Sequence, residues 1–377
     1  MDTTTIALYG AGLLVLAFGV AYSALILLSP RPIPTRPSEQ VYRSRASPSK
    51  PLPLPSLFDE PSVDLTVVIP AYNETERLPA MLESTVAHLQ SYSQPQQSGT
   101  AKSTSTSTSN AIGTNGSSTT RTRAPPPKRT YEILIVDDGS SDSTSSFALT
   151  LSQSHTFAKS EIRVVTLQKN LGKGGAVRHG MLHGRGRRLL MVDADGASRF
   201  EDLEGLWDAL DGVEEKQRKE GREDRGCVAV GSRAHLVKTE AVVKRSFIRN
   251  FLMFSLHLIL RIVGVGSIRD TQCGFKLFTR PAAQSIFPAQ HLTTWIFDVE
   301  LLLLATQMGI PVEEVPIEWH EVEGSKLNVM IDSLGMLRDL LVLRGNMIFG
   351  RWGGKVGKGS TTATATGGGG GGKKKRV

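Results

Sequence analysis

Short apolar runs alternate with helix-like stretches along most of this chain, and this alternation limits the fold more than any other feature. Five runs have the length and composition of strands that are buried on both faces, at 65–69, 132–136, 162–167, 189–192 and 228–230. Patterns with the helical period lie between them, at about 76–89, 142–152, 174–183 and 200–210. Strands that alternate with helices predict an α/β fold, with a mainly parallel sheet and flanking helices.

The N-terminus carries an apolar run of a different kind, which is uncharged from residue 6 to residue 28. At about 1.5 Å per residue, this run is long enough to cross a hydrocarbon layer of roughly 30 Å. We interpret it as a transmembrane anchor rather than a cleaved signal peptide, because only Asp2 precedes it as a charged residue and no cleavage site of small residues follows it. Basic residues dominate the segment after it, so we expect the following domain to face the cytosol.

Three segments have compositions that oppose burial. The Pro-rich residues 29–61 predict an extended stem, residues 91–130 predict a disordered surface insertion, and residues 353–377 predict a disordered Gly-rich basic tail. The remaining folded domain spans 62–352 around the insertion. The final KKRV resembles a dilysine signal that returns membrane proteins to the endoplasmic reticulum; a nuclear-localisation pattern also fits KKKRV, but a membrane anchor opposes it.

Charge and cysteine content exclude several classes of protein. There are 44 basic and 36 acidic residues, and the net charge of +8 raises the question of nucleic-acid binding. The excess lies in residues 29–50, in the insertion and in the last five residues, which leaves the rest of the chain net acidic. We therefore expect no nucleic-acid partner. The only cysteines, Cys227 and Cys273, exclude a disulfide framework and a zinc site built on cysteine pairs, and we expect both to be buried free thiols.

Polar motifs follow three of the predicted strands directly: PAYNE at 70–74, DDGS at 137–140 and DAD at 193–195. One such motif alone is explained equally well as a turn or a helix cap. Three of them at the carboxyl ends of parallel strands indicate a binding site at that edge of the sheet. The paired carboxylates Asp193 and Asp195 suit a hard cation, Mg²⁺ or Mn²⁺, shared with a diphosphate.

The segment 170–180 is rich in glycine but matches neither common phosphate-binding template. Val177 stands where a dinucleotide fingerprint needs glycine, and the P-loop spacing is absent. A Gly-rich helix start can still approach a nucleotide closely, so Lys173 and Arg178 are candidate contacts. The alternative is that these glycines only allow tight packing of the helix on the sheet.

Eight motifs together resemble a known family. In chain order they are VVIPAYNETERL, EILIVDDGSSDST, NLGKGGAVRHGM, MVDADGAS, VGSRAH, IRDTQCGFKLF, FDVELL and EGSKL. This ordered set resembles the inverting nucleotide-sugar glycosyltransferases of family 2, which have the Rossmann-like GT-A fold. Within that family, the residues and spacing of these motifs most resemble those of the members that glucosylate dolichyl phosphate at the endoplasmic reticulum. The resemblance covers nearly all of the folded domain without the insertion.

The resemblance implies UDP-glucose as donor and dolichyl phosphate as acceptor, on the cytosolic face of the endoplasmic reticulum membrane. The products would be UDP and dolichyl β-D-glucosyl phosphate, the lipid-linked glucose donor for N-glycan precursors. Carried over by motif, the nucleotide pocket comprises Pro70, Tyr72 and Glu74, with Val136 and Asp138 at the base and ribose; Asp193 and Asp195 bind Mg²⁺ or Mn²⁺; and Arg233 and Lys326 contact phosphate. Ala197 stands where some related mannosyl-phosphate synthases have Gln, which leaves water or the diphosphate as third metal ligand.

The chemistry of this transfer makes separate demands on the residues. A phosphate monoester has a second pKa near 6 and is largely dianionic at neutral pH, so it needs little general base. The departing UDP gains negative charge, which a metal and Lys326 would stabilise. Arg233 and Arg269 are the candidate cations for the acceptor. Asp270 is a candidate base or acceptor positioner; alternatively it forms an ion pair with Arg269 or a turn.

Two further apolar segments carry regularly spaced basic residues, at 242–265 and 327–352. We favour helices that lie at the membrane interface, although core helices of the domain would give a similar pattern. Two alternatives to the implied function stay open: a related transferase with another donor or acceptor, such as GDP-mannose, and a catalytically inactive, membrane-tethered binding protein. A processive polysaccharide synthase is disfavoured, because several spans and a QxxRW motif are not evident.

Overall fold

A computed structural model gives the fold of this chain and describes residues 3–91, 129–222, 225–235, 268–322 and 329–353. The strands within these ranges are β1 (Val41–Ser44), β2 (Ser47–Pro53), β3 (Val63–Ala71), β4 (Tyr131–Asp137), β5 (Glu161–Thr166), β6 (Gly186–Met191), β7 (Val228–Ser232), β8 (Lys276–Thr279) and β9 (Val312–Pro316). The α-helices are α1 (Thr3–Leu28), α2 (Leu78–Ser91), α3 (Thr144–Ser152), α4 (Lys173–Leu182), α5 (Leu203–Lys219), α6 (Arg280–Ile286), α7 (Phe297–Gln307) and α8 (Val329–Ile348). Lys326, the helix predicted at 242–265, nearly all of the predicted insertion and all but the first residue of the predicted tail lie outside the described residues.

The described strands form one sheet in the order β2-β1-β5-β4-β3-β6-β8-β7-β9. Its centre is parallel, because β5, β4, β3 and β6 run in the same direction. β8 is antiparallel to both of its neighbours, and β7 and β9 are parallel to each other. The five predicted strands correspond to β3–β7, so the predicted α/β fold with a mainly parallel sheet is confirmed.

Helices cover both faces of the sheet. Successive residues of a strand point to opposite faces, so neighbouring residues of β3 contact different helices. Val68 of β3 packs on one face with Val177 of α4. Its neighbour Val67 packs on the other face with Leu82 of α2 and Leu206 of α5. Burial on both faces explains why β3 and β4 are apolar without alternation. Cys227 and Cys273 are buried free thiols in the second of these layers, as predicted.

The predicted extended stem is wrong for most of its length. Residues 41–53 form the hairpin β1–β2, and β1 pairs antiparallel with β5. Leu57 is fully buried, and its backbone N–H donates to the Leu182 carbonyl at 2.8 Å. The prolines of β2 misled the composition argument, because proline is tolerated in an edge strand that lacks a second partner. The folded domain therefore begins near Pro37, well before residue 62.

The apolar helix α1 is 26 residues long and exposes most of its described side chains, and by length and composition it can cross a membrane. Its C-terminal half packs against α8. The rings of Phe18 and Tyr22 lie 5.5 and 5.2 Å from the Phe349 ring. Leu25 fills the space beside Gly345, where a Cβ atom would come within 2.7 Å of Leu25 Cδ1. These contacts hold α1 against the same body that carries the sheet.

Candidate active site

The loops after β3 and β4 are joined by one asparagine. Asn73 has a positive φ of 55°, a conformation in which asparagine is enriched. Its Oδ1 accepts hydrogen bonds from the backbone N–H groups of Ser141 and Asp142 at 2.9 and 3.2 Å, and its own N–H donates to Ser140 Oγ at 2.9 Å. The structure thus brings the first two predicted motifs together at the carboxyl edge of the sheet.

The third motif follows β6 and contributes Asp193 and Asp195. Lys173, the first residue of α4, places its Nζ 2.7 and 2.9 Å from the two oxygens of Asp193. Asp195 Oδ1 accepts the Ala197 backbone N–H at 3.0 Å. Burial, together with repulsion from Asp193, raises the pKa of the Asp195 carboxyl. Two carboxylates that repel each other in this way attract a cation.

Three observations fit a divalent cation at these carboxylates. Their oxygens are the hard ligands that Mg²⁺ and Mn²⁺ prefer. The Lys173 ammonium already forms a salt bridge with Asp193, so this carboxylate binds a positive charge. Gly274 packs directly against Asp193, since a Cβ atom there would lie 2.2 Å from Asp193 Oδ2, so no side chain at this position covers the carboxylate. Among the described residues, no group of three or more His, Cys, Asp or Glu forms a metal site. Ala197 is buried and its side chain has no ligand atom. Water and a diphosphate would therefore supply the further ligands of the cation.

Glu74, predicted to line the nucleotide pocket, forms an ion pair with Arg77, a residue that the sequence interpretation did not identify. Its carboxylate binds Arg77 through two hydrogen bonds of 2.6 and 2.8 Å. Burial lowers the pKa of Arg77, but Glu74 and the charges of Asp195 and Asp193 raise it above its usual value. Arg77 therefore adds positive charge near the carboxylate pair. The Glu-x-x-Arg spacing within the quoted motif is the signal that could have revealed it.

The other predicted nucleotide contacts differ in whether they lie at the carboxyl edge of the sheet. Pro70 lies at the end of β3 and Tyr72 is exposed just beyond it, so both border the edge. Val136 does not fit its predicted role, because its side chain is fully buried beside Gly180 and its residue pairs with both neighbouring strands. Arg178 is not brought to the edge either; its Nε donates to the Phe287 carbonyl at 3.0 Å.

Asp138 lies under the start of α4. Its Oδ1 accepts the Leu171 backbone N–H at 2.7 Å. Burial raises the pKa of Asp138 to about 7, although hydrogen bonds from the Leu171 and Gly172 backbone oppose the rise. The carboxyl therefore links the motif after β4 to the Gly-rich segment, and it changes charge close to neutral pH.

Asp138→Asn is expected to remove a pH-dependent contribution to stability. Between the ordinary pKa of 3.8 and the folded pKa of about 7, the folded state keeps a proton that the unfolded state has released. The contribution of Asp138 is therefore greatest below pH 4 and declines as the pH rises to 7. At about 1.4 kcal/mol per pKa unit the decline amounts to about 4 kcal/mol. The Tm of the wild type minus that of the variant should fall across this range and then level off; a pH-independent difference would contradict the assignment.

Arg233 and Asp270 form a paired unit beside the carboxylates. Arg233 donates to Asp270 through Nε, a terminal nitrogen and the backbone N–H, at 2.7, 2.9 and 2.9 Å. Burial raises the pKa of Asp270, but the bonds and charge of Arg233 outweigh it and hold this pKa below its usual value. The partner of Asp270 is thus Arg233 and not Arg269, which is exposed and donates its backbone N–H to Glu314. The guanidinium also lies 5.4 Å from the centre of the Trp319 ring.

A second ion pair lies behind the site, and sequence reasoning missed it as well. Lys276 is fully buried and contacts Asp298 Oδ1 and the Cys273 carbonyl, each at 2.5 Å. Burial raises the pKa of Asp298, against the opposing charges of Lys276 and Lys173. The motifs CGFKLF and FDVELL contain these residues, but nothing in either motif shows that they pair.

Comparisons with known proteins identify the family. The sequence model of Glycosyl transferase family 2 matches residues 118–215. The curated dolichyl-phosphate beta-glucosyltransferase of Saccharomyces cerevisiae is 40% identical over 86% of this chain and 88% of its own. Those of Drosophila melanogaster and Homo sapiens are 41% and 37% identical, over 88% and 90% of this chain and 91% and 95% of theirs. Among solved structures, glucosyl-3-phosphoglycerate synthase from Mycobacterium tuberculosis aligns with 75% of this chain and 81% of its own, at 14% identity and a TM-score of 0.46.

Identities of this size across most of both chains confirm the resemblance seen in the ordered motifs. Membership of family 2, together with the sheet described above, confirms the predicted GT-A fold. The chain is a glycosyltransferase, and it belongs to the family of dolichyl-phosphate beta-glucosyltransferases.

Proposed function

We propose that this protein transfers glucose from UDP-glucose to dolichyl phosphate with inversion, giving dolichyl β-D-glucosyl phosphate and UDP. The observation that carries the proposal is the pair Asp193 and Asp195 at the carboxyl end of β6, with Lys173 on one carboxylate. The relatives are named for glucosyl transfer to dolichyl phosphate, and they supply the substrate class.

The donor half of the site handles negative charge. Mg²⁺ or Mn²⁺, when bound, would neutralise the diphosphate and stabilise the charge on departing UDP. Asp193 and Asp195 would hold that cation, and no side chain at Gly274 covers Asp193. Arg77 and Lys173 add positive charge around the same point, where it favours an anionic leaving group. Tyr72 and Pro70 would border the nucleotide.

The acceptor half needs orientation more than proton transfer. A phosphate monoester is largely dianionic at neutral pH, since its second pKa is about 6. Asp270 is fully engaged with Arg233, and its lowered pKa makes it a poor base. We assign Arg233 as the group that binds the acceptor phosphate and Asp270 as the residue that holds the Arg233 guanidinium in place. Lys326 would be a further phosphate contact.

The membrane is the site of the lipid acceptor, and two described helices suit it. α1 would span the bilayer, and α8 exposes Leu334, Leu337 and Leu341 along one side. Such an exposed apolar stripe on a helix that packs against α1 fits the interface of a membrane. We place the protein in the endoplasmic reticulum membrane with its sheet in the cytosol. Protease treatment of sealed microsomes should digest a C-terminal tag; protection of that tag would contradict this orientation.

The decisive assay is transfer of labelled glucose from UDP-glucose to dolichyl phosphate in detergent or membranes, with and without Mn²⁺ or Mg²⁺. A panel that includes GDP-mannose separates the donors. We expect transfer that requires the divalent cation and that occurs with UDP-glucose but not with GDP-mannose. Transfer from GDP-mannose instead would favour the related sugar transferase, and no transfer with any lipid phosphate would favour an inactive binding protein.

A further inference from the structure

Lys173 is held so that only its side chain is free to move. Gly172 before it has a positive φ of 87°, and a Cβ atom there would lie 2.5 Å from the Thr293 carbonyl oxygen. Gly174 after it donates its N–H to the same oxygen at 2.8 Å, and a Cβ atom at Gly174 would lie 2.6 Å from Phe297. The backbone on both sides therefore packs closely against Thr293 and the first residue of α7.

The Lys173 side chain is partly accessible, with 20% of its surface exposed, and so is Asp193, with 32%. Lys276, by contrast, is fully enclosed with Asp298 and has no exposed surface. The two lysines thus have different places in the site: Lys276 neutralises the buried Asp298, whereas Lys173 reaches forward to the exposed edge and neutralises Asp193. A long lysine side chain with an exposed end can change partners at low cost.

The Lys173 ammonium lies 2.7 and 2.9 Å from the two oxygens of Asp193, so it is the positive charge that neutralises this carboxylate. A divalent cation that binds Asp193 would meet this positive charge at the same carboxylate. Two cations at one carboxylate repel each other, so one of them must shift when the other arrives.

We propose that Lys173 is an exchangeable counterion: its ammonium neutralises Asp193 before the donor binds, and it moves to the donor diphosphate when a divalent cation takes Asp193. This inference rests on the proposed function, which supplies the diphosphate. The centre of the Trp295 ring lies 5.9 Å from Lys173 Nζ, so an aromatic side chain borders the ammonium. The exchange keeps the carboxylates neutralised without the metal and adds a positive charge to the leaving group once the metal is bound.

The proposal predicts effects of opposite sign in Lys173→Met. Titration of the full-length protein with Mn²⁺ alone, followed by the electron paramagnetic resonance signal of the free ion, should show about tenfold tighter binding in the variant, because the competing ammonium is gone. Titration with UDP at saturating Mn²⁺ should show at least tenfold weaker binding, because a diphosphate contact is lost. Lys219→Met, on the exposed end of α5, should change neither constant.

Lysine acting only as a structural support would leave Mn²⁺ binding unchanged or weaken it, and either result overturns the proposal. Unchanged UDP affinity overturns it as well. If Lys173→Met does not fold, Lys173→Gln tests the same signs with a polar side chain of similar reach. Because neither titration contains the lipid acceptor, failure of this exchange is distinguishable from failure of glucosyl transfer, which the labelled-glucose assay on the wild type measures.

Discussion

Asp195→Asn is expected to reduce glucosyl transfer on the order of 10²–10³-fold while the protein stays folded. The change removes one of two carboxylates that would hold the divalent cation, so the negative charge that develops on UDP loses its main support. Folding should be unaffected, because the asparagine oxygen can still accept the Ala197 N–H that Asp195 Oδ1 now accepts at 3.0 Å. Burial and repulsion from Asp193 also raise the pKa of Asp195, so loss of its charge relieves an unfavourable contact.

The measurement is kcat with UDP-glucose and dolichyl phosphate, alongside the Tm of each protein. Asp208→Asn, on the exposed side of α5, is the matched control and should keep wild-type turnover. A Tm equal to or above that of the wild type, together with lost turnover, supports the assignment. Full turnover in Asp195→Asn would instead contradict a catalytic role for this carboxylate.

The central sheet and its polar edge were predictable because both depend on local patterns. Apolar runs such as those of β3 and β4 indicate strands by themselves, and parallel strands place the residues that follow them at one edge. Asp193 and Asp195 could therefore be assigned to the site before any contact was known. The hairpin β1–β2 could not, because an edge strand with prolines lacks the apolar run that marks a buried strand.

The pairings within the site were the part that the sequence did not reveal. Arg233 and Asp270 are 37 positions apart, and the nearer Arg269 was the more obvious partner for the carboxylate. Lys276 and Asp298 pair only because β8 and α7 meet beneath the edge. Contacts of this kind depend on how the elements pack, whereas a motif fixes only which residue types are present. The same reason explains why Val136 was assigned to the pocket although its side chain points into the core.

The roles of Arg233 and Asp270 can be separated by a double-mutant cycle. Arg233→Met should lower kcat/KM for dolichyl phosphate about 100-fold, because a charged contact to the acceptor is lost and the largely buried Asp270 carboxylate is left without its partner. Asp270→Asn should cost about tenfold, since it leaves the guanidinium in place but less firmly held. If Asp270 acts only through Arg233, the double variant loses no more than Arg233→Met alone.

If Asp270 were a general base, both the double variant and the pH profile would differ from these expectations. Loss of the base would add to loss of the phosphate contact, so the double variant would fall well below Arg233→Met, and the pH profile of Asp270→Asn would lose a limb. We expect the profile to keep its shape between pH 6 and 8, because the Arg233 guanidinium holds the pKa of Asp270 below its usual value, far from that range. An acceptor that arrives as a dianion needs a fixed cation more than a proton acceptor, and Arg233, held by three hydrogen bonds to one carboxylate, is such a cation.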